Sequence, residues 1–225
     1  MTNTPAMNRY SWYGKLPSAG DFLQRRFPDT LQRQWSHWFQ VGLLAWQQEE
    51  QRSGERPFSK APVWNFVVPP MLGSQMIQMG CLLPGRDSVG RHYPVCLQLS
   101  FTPAEWSSRL LGQAESWYQQ LGRLGLHAVR NSYSASQLDE MLMTIPAPQP
   151  VEPQKRSDIL DVIGYDDDGQ STLGWPQAAE CFDPLRQTSY WWTNRCDGYP
   201  LYTHVHSGNF TGQLFTLLFD PAGGA

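Results

Sequence analysis

Three apolar segments follow one another in the middle of the chain without a helical pattern between them. They run from Val63 to Val68, from Met76 to Leu83 and from His92 to Phe101, and prolines or glycines lie in both links. Antiparallel strands can be joined by short turns, whereas parallel strands need a crossover of about a dozen residues or more. The segments therefore predict neighbouring antiparallel strands, and this feature constrains the fold more than any other.

Helical patterns flank this strand region. Asp29 to Gln48 is predicted as a long helix, with Asp29 as its N-cap and Gln32 closing a capping box. A second helix is predicted to begin at Thr102-Pro103-Ala104-Glu105, which combines an N-cap, a proline and a glutamate at the third helical position. A third begins at Ser134. The apolar face of the first helix consists of Leu31, Trp35, Trp38, Gly42 and Trp46.

Further strands are predicted towards both ends of the chain. Tyr10 to Leu16 forms the first, and the later ones are Ile159–Tyr165, Thr172–Trp175, Ser189–Thr193 and Gln213–Phe219. The proline-rich segment at about residues 146–157 is predicted as a surface crossing within one domain that spans residues 1–225. Together the elements predict an α/β fold with a mixed, largely antiparallel sheet flanked by helices.

The charge and hydropathy of the chain exclude several classes of partner. A net charge of -3 gives no electrostatic basis for binding nucleic acid or an anionic membrane surface. No apolar stretch approaches the roughly 18 residues that a membrane-spanning helix needs. The segment from Met1 to Arg9 is polar and lacks the apolar centre of a signal peptide. We therefore expect a cytoplasmic protein without membrane insertion.

Motifs for nucleotide binding and nucleophilic catalysis are incomplete. A P-loop needs a glycine five residues before Gly14-Lys15 and a hydroxyl residue after it, but Arg9 and Leu16 occupy these positions. Ser18 precedes Gly20 as in a nucleophile elbow, but the glycine required before the serine is again replaced by Leu16. Lys15 is therefore predicted as a solvated or locally paired lysine, and Ser18 as part of a turn.

Metal-binding patterns are also incomplete. Asp166 to Gly169 resembles part of a calcium loop, but Gly164 and Trp175 would hold its first and last ligand positions, so a tight hairpin turn is predicted instead. His204 and His206 would share one face of a strand, which a metal could use, although no third ligand is evident nearby. We expect neither a metal nor a cofactor. The cysteines are predicted as small buried residues: Cys81, Cys96, Cys181 and Cys196.

Two aspartates, Asp21 and Asp87, lie in turns that contain glycine. Aspartates in such turns typically accept hydrogen bonds from nearby backbone N–H groups, which is the simplest interpretation of both residues. A catalytic pair of carboxylates stays open, because sequence does not show which residues meet in space. No set of residues has the spacing of a known reaction class, and we therefore expect no enzymatic activity.

Four segments, taken in order, carry a resemblance to a known family. They are residues 14–22, GKLPSAGDF; the Trp-x-x-Trp helix at residues 35–43; residues 84–94, PGRDSVGRHYP; and residues 190–193, YWWT. Together they resemble the signatures of the TagF family, also called ImpM, and they span most of the chain. The residues that carry the match, and that are candidates for partner contact, are Gly14, Lys15, Pro17, Gly20, Asp21, Phe22, Trp35, Trp38, Arg86, Asp87, Gly90, Arg91, Trp191 and Trp192.

Structural roles compete with contact roles for these residues. Gly14, Gly20 and Gly90 are predicted to fix backbone turns, and the four tryptophans to lie mostly in the core. Arg91 either contacts a partner or is tied into its own turn. Two positions depart from the family pattern, because Ala19 stands where arginine is frequent and Ser36 where aspartate is common. A partner contact made at either position in relatives would differ here.

The resemblance implies a three-layer α/β/α sandwich without catalytic activity. It implies a post-translational repressor of type VI secretion in Gram-negative bacteria, whose partner is the scaffold protein of that system that carries a forkhead-associated domain. Two alternatives stay open. A structural component of the apparatus should co-purify with the assembled machine, and a small-ligand enzyme would need a deep pocket with converging titratable groups.

Overall fold

The computed structural model describes residues 10–53, 57–149, 173–198 and 200–220, and within these ranges it contains seven β-strands and six α-helices. The strands are β1 (Tyr10–Gly14), β2 (Leu23–Arg25), β3 (Trp64–Val68), β4 (Ile77–Arg86), β5 (His92–Phe101), β6 (Thr188–Thr193) and β7 (Thr203–Ser207). The helices are α1 (Asp29–Ser53), α2 (Ser108–Gly112), α3 (Glu115–Arg130), α4 (Ala135–Thr144), α5 (Pro176–Cys181) and α6 (Gly212–Phe219). No helix in these ranges is long and apolar enough to cross a membrane.

The strands form one antiparallel sheet in the order β2-β1-β5-β4-β3-β6-β7. The predicted block of three consecutive strands is confirmed as β3, β4 and β5, which lie side by side at its centre. β4 and β5 pair from Ile77 opposite Phe101 to Arg86 opposite His92. β1 then adds to the outer side of β5, and β6 to the outer side of β3. The α/β class is thus as predicted, whereas the sheet, predicted as mixed and largely antiparallel, is antiparallel at every described strand pair.

Successive side chains of the central strands belong to two different hydrophobic clusters. On β4, Met79, Cys81 and Leu83 join a cluster that contains apolar residues of α2, α3, α4 and α5. Leu82 joins the other cluster, which contains apolar residues of α1 and α6. Because side chains alternate along a strand, both faces of the sheet are covered by apolar contacts, and β4 is buried from Ile77 to Gly85.

The predicted first and third helices are confirmed, with changes at their ends. α1 begins at Asp29 and runs to Ser53, past the predicted end at Gln48. Asp29 is its first residue and not its N-cap, because the N–H of Gln32 donates to the carbonyl of Pro28 at 2.8 Å. At α4, Ser134 forms the predicted capping box.

The helix predicted to begin at Thr102 is wrong in its start and its continuity. Thr102 donates from its backbone N–H and its hydroxyl to the carboxylate of Glu105, at 2.9 Å in both cases, and the segment forms a turn. The helical part begins only after Ser107, which caps α2, and a break at Gln113 and Ala114 separates α2 from α3. The threonine and the glutamate of the predicted N-cap do form hydrogen bonds with each other, but they stabilise a turn and not the start of a helix.

The C-terminal part differs most from the prediction. Residues 213–219 form helix α6 and not a strand, since Thr211 accepts the Leu214 N–H at 3.1 Å and a helical apolar face is buried. Residues 173–175 contain no strand, whereas the predicted strand Ser189–Thr193 is confirmed as β6. β7 was not predicted. The predicted strand at 159–165, the turn at 166–169 and most of the proline-rich crossing lie outside the described residues.

Candidate functional site

Two of the four signature segments meet at one corner of the sheet. The N–H of Ser88, in the turn between β4 and β5, donates to the carbonyl of Ala19 at 2.9 Å. The Nη2 group of Arg91 donates to the carbonyl of Gly20 at 3.0 Å. We refer to these two segments, residues 14–22 and 84–94, as the signature corner. The remaining two segments lie in α1 and β6.

Asp87 is the centre of the signature corner and is buried. Its Oδ2 atom accepts from Lys15 Nζ at 2.9 Å and from Arg91 Nε at 2.6 Å. Its Oδ1 atom accepts from the backbone N–H groups of Val89 at 3.1 Å and Arg91 at 2.9 Å. Lys15 is therefore buried and paired with a carboxylate that is distant in sequence, and it is not solvated. Asp87 accepts backbone hydrogen bonds as predicted, and Arg91 is tied into its own turn.

The hydrogen bonds at Asp87 determine its protonation. Burial alone would raise the pKa of its carboxyl group, but donation from Lys15, Arg91 and Val89 outweighs burial and holds the pKa well below its ordinary value. A carboxyl group whose pKa is lowered by folding adds stability above its unfolded pKa of about 3.9. That stability is lost as the pH falls below about 4 towards the folded-state pKa.

We expect Asp87→Asn to lower the melting temperature at pH 7, because Lys15 would be left buried without its counter-charge. The difference from the wild type should shrink as the pH falls from about 4 to about 2.5, where the wild type loses the same contribution. Thermal unfolding of both proteins across this range is the measurement. The exposed Asp21 provides the control, since Asp21→Asn should change little at any pH. A melting difference that is equal at every pH would contradict the assigned role.

The outer surface of the signature corner combines apolar and cationic side chains. Phe22 is 48% exposed, and its ring packs edge-on against Tyr93 with centroids 4.8 Å apart. Val89 is 71% exposed, and the Arg91 side chain is 64% exposed although its guanidinium reaches Asp87. Arg86 is exposed at the end of β4. The corner is therefore a buried ionic centre with an exposed rim of phenyl, isopropyl and guanidinium groups.

A hydroxyl cluster connects the signature corner to α1. The hydroxyl groups of Tyr13 and Tyr93 lie 2.9 Å apart, and both approach Ser36 Oγ, at 3.2 and 3.4 Å. Burial raises the pKa of Tyr93, so it stays a neutral phenol. The sequence showed Ser36 only as a departure from the family pattern. In the structure, Ser36 contacts Tyr13 and Tyr93, and Tyr93 belongs to the signature corner.

The four signature tryptophans are core residues, as predicted. Trp35, Trp38 and Trp191 pack together, and none is more than 3% exposed. Trp192 points to the other face of the sheet, where its ring lies 4.8 Å from that of Tyr118. The two adjacent tryptophans of β6 thus join opposite hydrophobic clusters. The four tryptophans are therefore not on the surface, whereas Phe22 and Arg86 of the signature corner are exposed.

Several smaller predictions are settled by the structure. Gly90 has a φ of +88°, which fits its predicted turn, whereas the turn predicted at Gly14 is wrong because this residue lies in β1 and pairs with Val95 of β5. The Ser18 hydroxyl donates to the carbonyl of Tyr133 at 2.7 Å, so it fastens the loop to the α3–α4 connection and not to its own turn. Cys81 and Cys96 are buried as predicted, whereas the prediction is wrong for Cys181, which is exposed at the end of α5.

Two clefts lie away from the signature corner. One, of about 800 Å³, lies between α1 and α6, and Glu49 is the titratable residue in its lining. The other, of about 370 Å³, lies between α3 and α4 and contains Arg123, His127 and Tyr133. Among the residues that the structure describes, no group of three histidine, cysteine, aspartate or glutamate side chains could hold a metal ion. His204 and His206 share one face of β7, with ring centroids 6.4 Å apart.

These features define an α/β domain built on an antiparallel sheet with one polar, signature-bearing corner. The model of the TagF N-terminal domain, described as type VI secretion system-associated, matches residues 11–145, which is more than half of the chain. The chain therefore belongs to the TagF family and is linked to type VI secretion. No curated protein matches it. A crystal structure of PA0076 from Pseudomonas aeruginosa PAO1 has a similar fold, with a TM-score of 0.71, 20% identity and 96% coverage of both chains.

Proposed function

We propose that this protein is a non-enzymatic, cytoplasmic repressor of type VI secretion that acts after translation by occupying the forkhead-associated-domain scaffold of the system. The observation that carries this proposal is the signature corner. Two family segments, distant in sequence, converge on Asp87, and the exposed rim they present includes Phe22 and Arg91. Family membership supports the link to type VI secretion, and the exposed rim of the signature corner is the surface that we propose for binding.

The geometry of the signature corner suits a binding surface. Aromatic and arginine side chains contribute most of the binding energy at many interfaces. Here Phe22 is held against Tyr93 and beneath Lys15 Nζ, which lies 4.7 Å from the ring centre. Arg91 is fixed by Asp87 and by the Gly20 carbonyl. Because these side chains are already ordered, little conformational entropy would be lost when a partner binds.

The same proposal includes a single domain over residues 1–225 with helices in layers on both faces of the sheet. The two hydrophobic clusters support this arrangement, since α1 and α6 contribute to one and α2 to α5 contribute to the other. Neither of the two clefts described above combines a carboxylate with a histidine in its lining. The experiment below separates repression by occupancy from the enzymatic and structural alternatives.

The test is a titrated expression series in a deletion strain, with secretion and scaffold binding measured together. Deletion should release secretion without changing the amounts of the secretion proteins. Repression should then deepen in proportion to the expressed protein until its amount matches that of the scaffold, since an occupancy mechanism is stoichiometric. Saturation far below the scaffold amount would indicate an enzyme. Co-purification with the assembled apparatus would indicate a structural component.

The double substitution Phe22→Ser and Val89→Ser tests the surface itself. Val89 is 71% exposed, but the half-exposed Phe22 ring also packs on Tyr93, so the fold should be retained and the melting temperature should fall by only about 2–6 °C. Scaffold binding should weaken at least about tenfold, and repression should weaken with it. Leu185→Ser is the matched control, because Leu185 is 91% exposed and lies outside the corner. Repression that persists after scaffold binding is lost would show that occupancy of the scaffold is not the mechanism.

A further inference from the structure

The outer edge of β7 has no strand partner among the residues that the structure describes. The N–H of Thr193 donates to the carbonyl of Tyr202 at 3.1 Å, and the N–H of Gly208 donates to the carbonyl of Gln187 at 2.7 Å. Inward and outward residues alternate along an antiparallel strand. The backbone groups of Thr203, Val205 and Ser207 therefore point away from β6, and no described strand pairs with them.

The residues of β7 themselves carry none of the usual protection against pairing. Sheet edges are typically blocked by proline, by lysine or other charged side chains, or by a bulge. The five residues of β7 are Thr-His-Val-His-Ser, and Val205 at the centre is 47% exposed. At the opposite end of the sheet, β2 has only three residues and carries Arg25. β7 is thus the more suitable edge for adding a strand.

The β7 sequence is complementary to itself. If a second copy pairs antiparallel with Val205 opposite its own counterpart, all five residues of both strands are matched. Thr203 then faces Ser207 of the partner subunit, and His204 faces His206 of the partner subunit. The histidine positions are the non-hydrogen-bonded pairs, in which the Cα atoms approach to about 4.5 Å. Four imidazoles would therefore cluster on one face of the joined sheet.

We propose that two copies of this chain pair through β7 and share one zinc ion, or a similar transition metal, held by His204 and His206 of each copy. Zinc prefers four ligands in a tetrahedron, and a single chain supplies only half of such a set. We still expect a single chain to hold no metal, because each copy would contribute only two of the four histidine ligands.

The hydrogen bonding of His206 supports this role. Its Nε2 atom lies 2.9 Å from the carbonyl of Asn209. A carbonyl only accepts, so Nε2 carries the hydrogen, and the Nδ1 atom of the neutral ring keeps the lone pair that a metal needs. Histidines that bind metals typically donate their other N–H to a carbonyl or carboxylate, which fixes the ring orientation. His204 lies on the same face, two residues earlier.

The test is the molar mass of the full chain in solution, measured by size-exclusion chromatography with light scattering during zinc titration. The mass should double from the monomer value of 25.7 kDa, with half a zinc ion bound per chain, and EDTA should reverse the change. His204→Gln combined with His206→Gln should abolish the doubling. His37→Gln, which changes an exposed histidine on α1, should leave it intact.

Val205→Pro tests the strand pairing separately from the metal ligands. The Val205 N–H points outward, so proline removes a donor from the free edge without removing a bond to β6. This variant should stay monomeric with zinc while its circular dichroism spectrum is unchanged. If the Val205→Pro variant fails to fold, the double histidine variant still tests whether the histidines are needed for the zinc-dependent dimer. Zinc bound at one ion per chain by a monomer, a dimer that EDTA does not dissociate, or an unaffected double histidine variant would overturn the proposal.

Discussion

Replacing Trp38 by alanine should lower the free energy of unfolding by about 3–5 kcal/mol. Trp38 is 3% exposed, and its ring lies 4.7 Å from that of Phe210 and 5.3 Å from that of Phe39. Its Nε1 group also donates to the carbonyl of Thr211, the residue that caps α6. The substitution would leave a large cavity between α1 and α6 and would remove one of the two hydrogen bonds that the Thr211 carbonyl accepts, since the N–H of Phe215 still donates to it at 3.2 Å. A typical domain has only about 5–15 kcal/mol of stability in total.

Urea unfolding of the wild type and the variant measures this effect. Leu44→Ala is the control on the same helix, since Leu44 is 61% exposed and its truncation should change stability by no more than about 0.5 kcal/mol. A Trp38→Ala protein as stable as the wild type would contradict the core role. Loss of scaffold binding at unchanged stability would make Trp38 a contact residue instead.

Gly14→Ala should destabilise the protein by about 3 kcal/mol or more. Gly14 has a φ of +152°, which side chains rarely adopt, and a Cβ atom there would lie 2.4 Å from the Pro94 carbonyl oxygen and 2.8 Å from Val95 Cα. Both contacts are backbone atoms of β5, which lies near the centre of the sheet. They cannot move aside without displacing that strand.

Gly20→Ala provides a matched control within the same signature segment. The nearest atom to a Cβ at Gly20 is the Ser88 hydroxyl oxygen at 3.6 Å, an ordinary contact. Chemical denaturation should therefore separate the two variants by roughly the full cost of the Gly14 substitution. Equal stability of the two variants would mean that β5 accommodates the extra methyl group, and that Gly14 is not fixed by packing.

Strand segments with local turn chemistry could be predicted from the sequence, whereas segments decided by distant contacts could not. The β3–β4–β5 block was evident because each segment is apolar and prolines or glycines lie in both links between them. Residues 213–219 were predicted wrongly because a short apolar run fits a strand or a buried helix equally well. The helix is decided by Thr211 and by packing of Phe215 against Gly42 of α1, where a Cβ would lie 2.1 Å from the ring.

The sequence predicted which residues belong to the candidate site, but it did not predict which of them contact one another. Lys15 was predicted as a solvated or locally paired lysine and Asp87 as a turn residue. Their ion pair joins positions 72 residues apart, and sequence does not show such a pairing. Arg91 was left with two alternatives. It is tied into its turn through Nε, while most of its side chain remains on the surface. A structural role and an exposed side chain are therefore combined in one residue, which residue type alone does not reveal.

The strand order has a consequence for synthesis on the ribosome. β1 is the first strand to emerge, yet its neighbour β5 ends at Phe101. β3 then gains its second neighbour only when β6 is complete at Thr193. A nascent chain thus carries an open, apolar β3 edge for about 90 residues of translation, and such edges promote aggregation. Ribosome-associated chaperones would be expected to engage this chain between the completion of β5 and the emergence of β6.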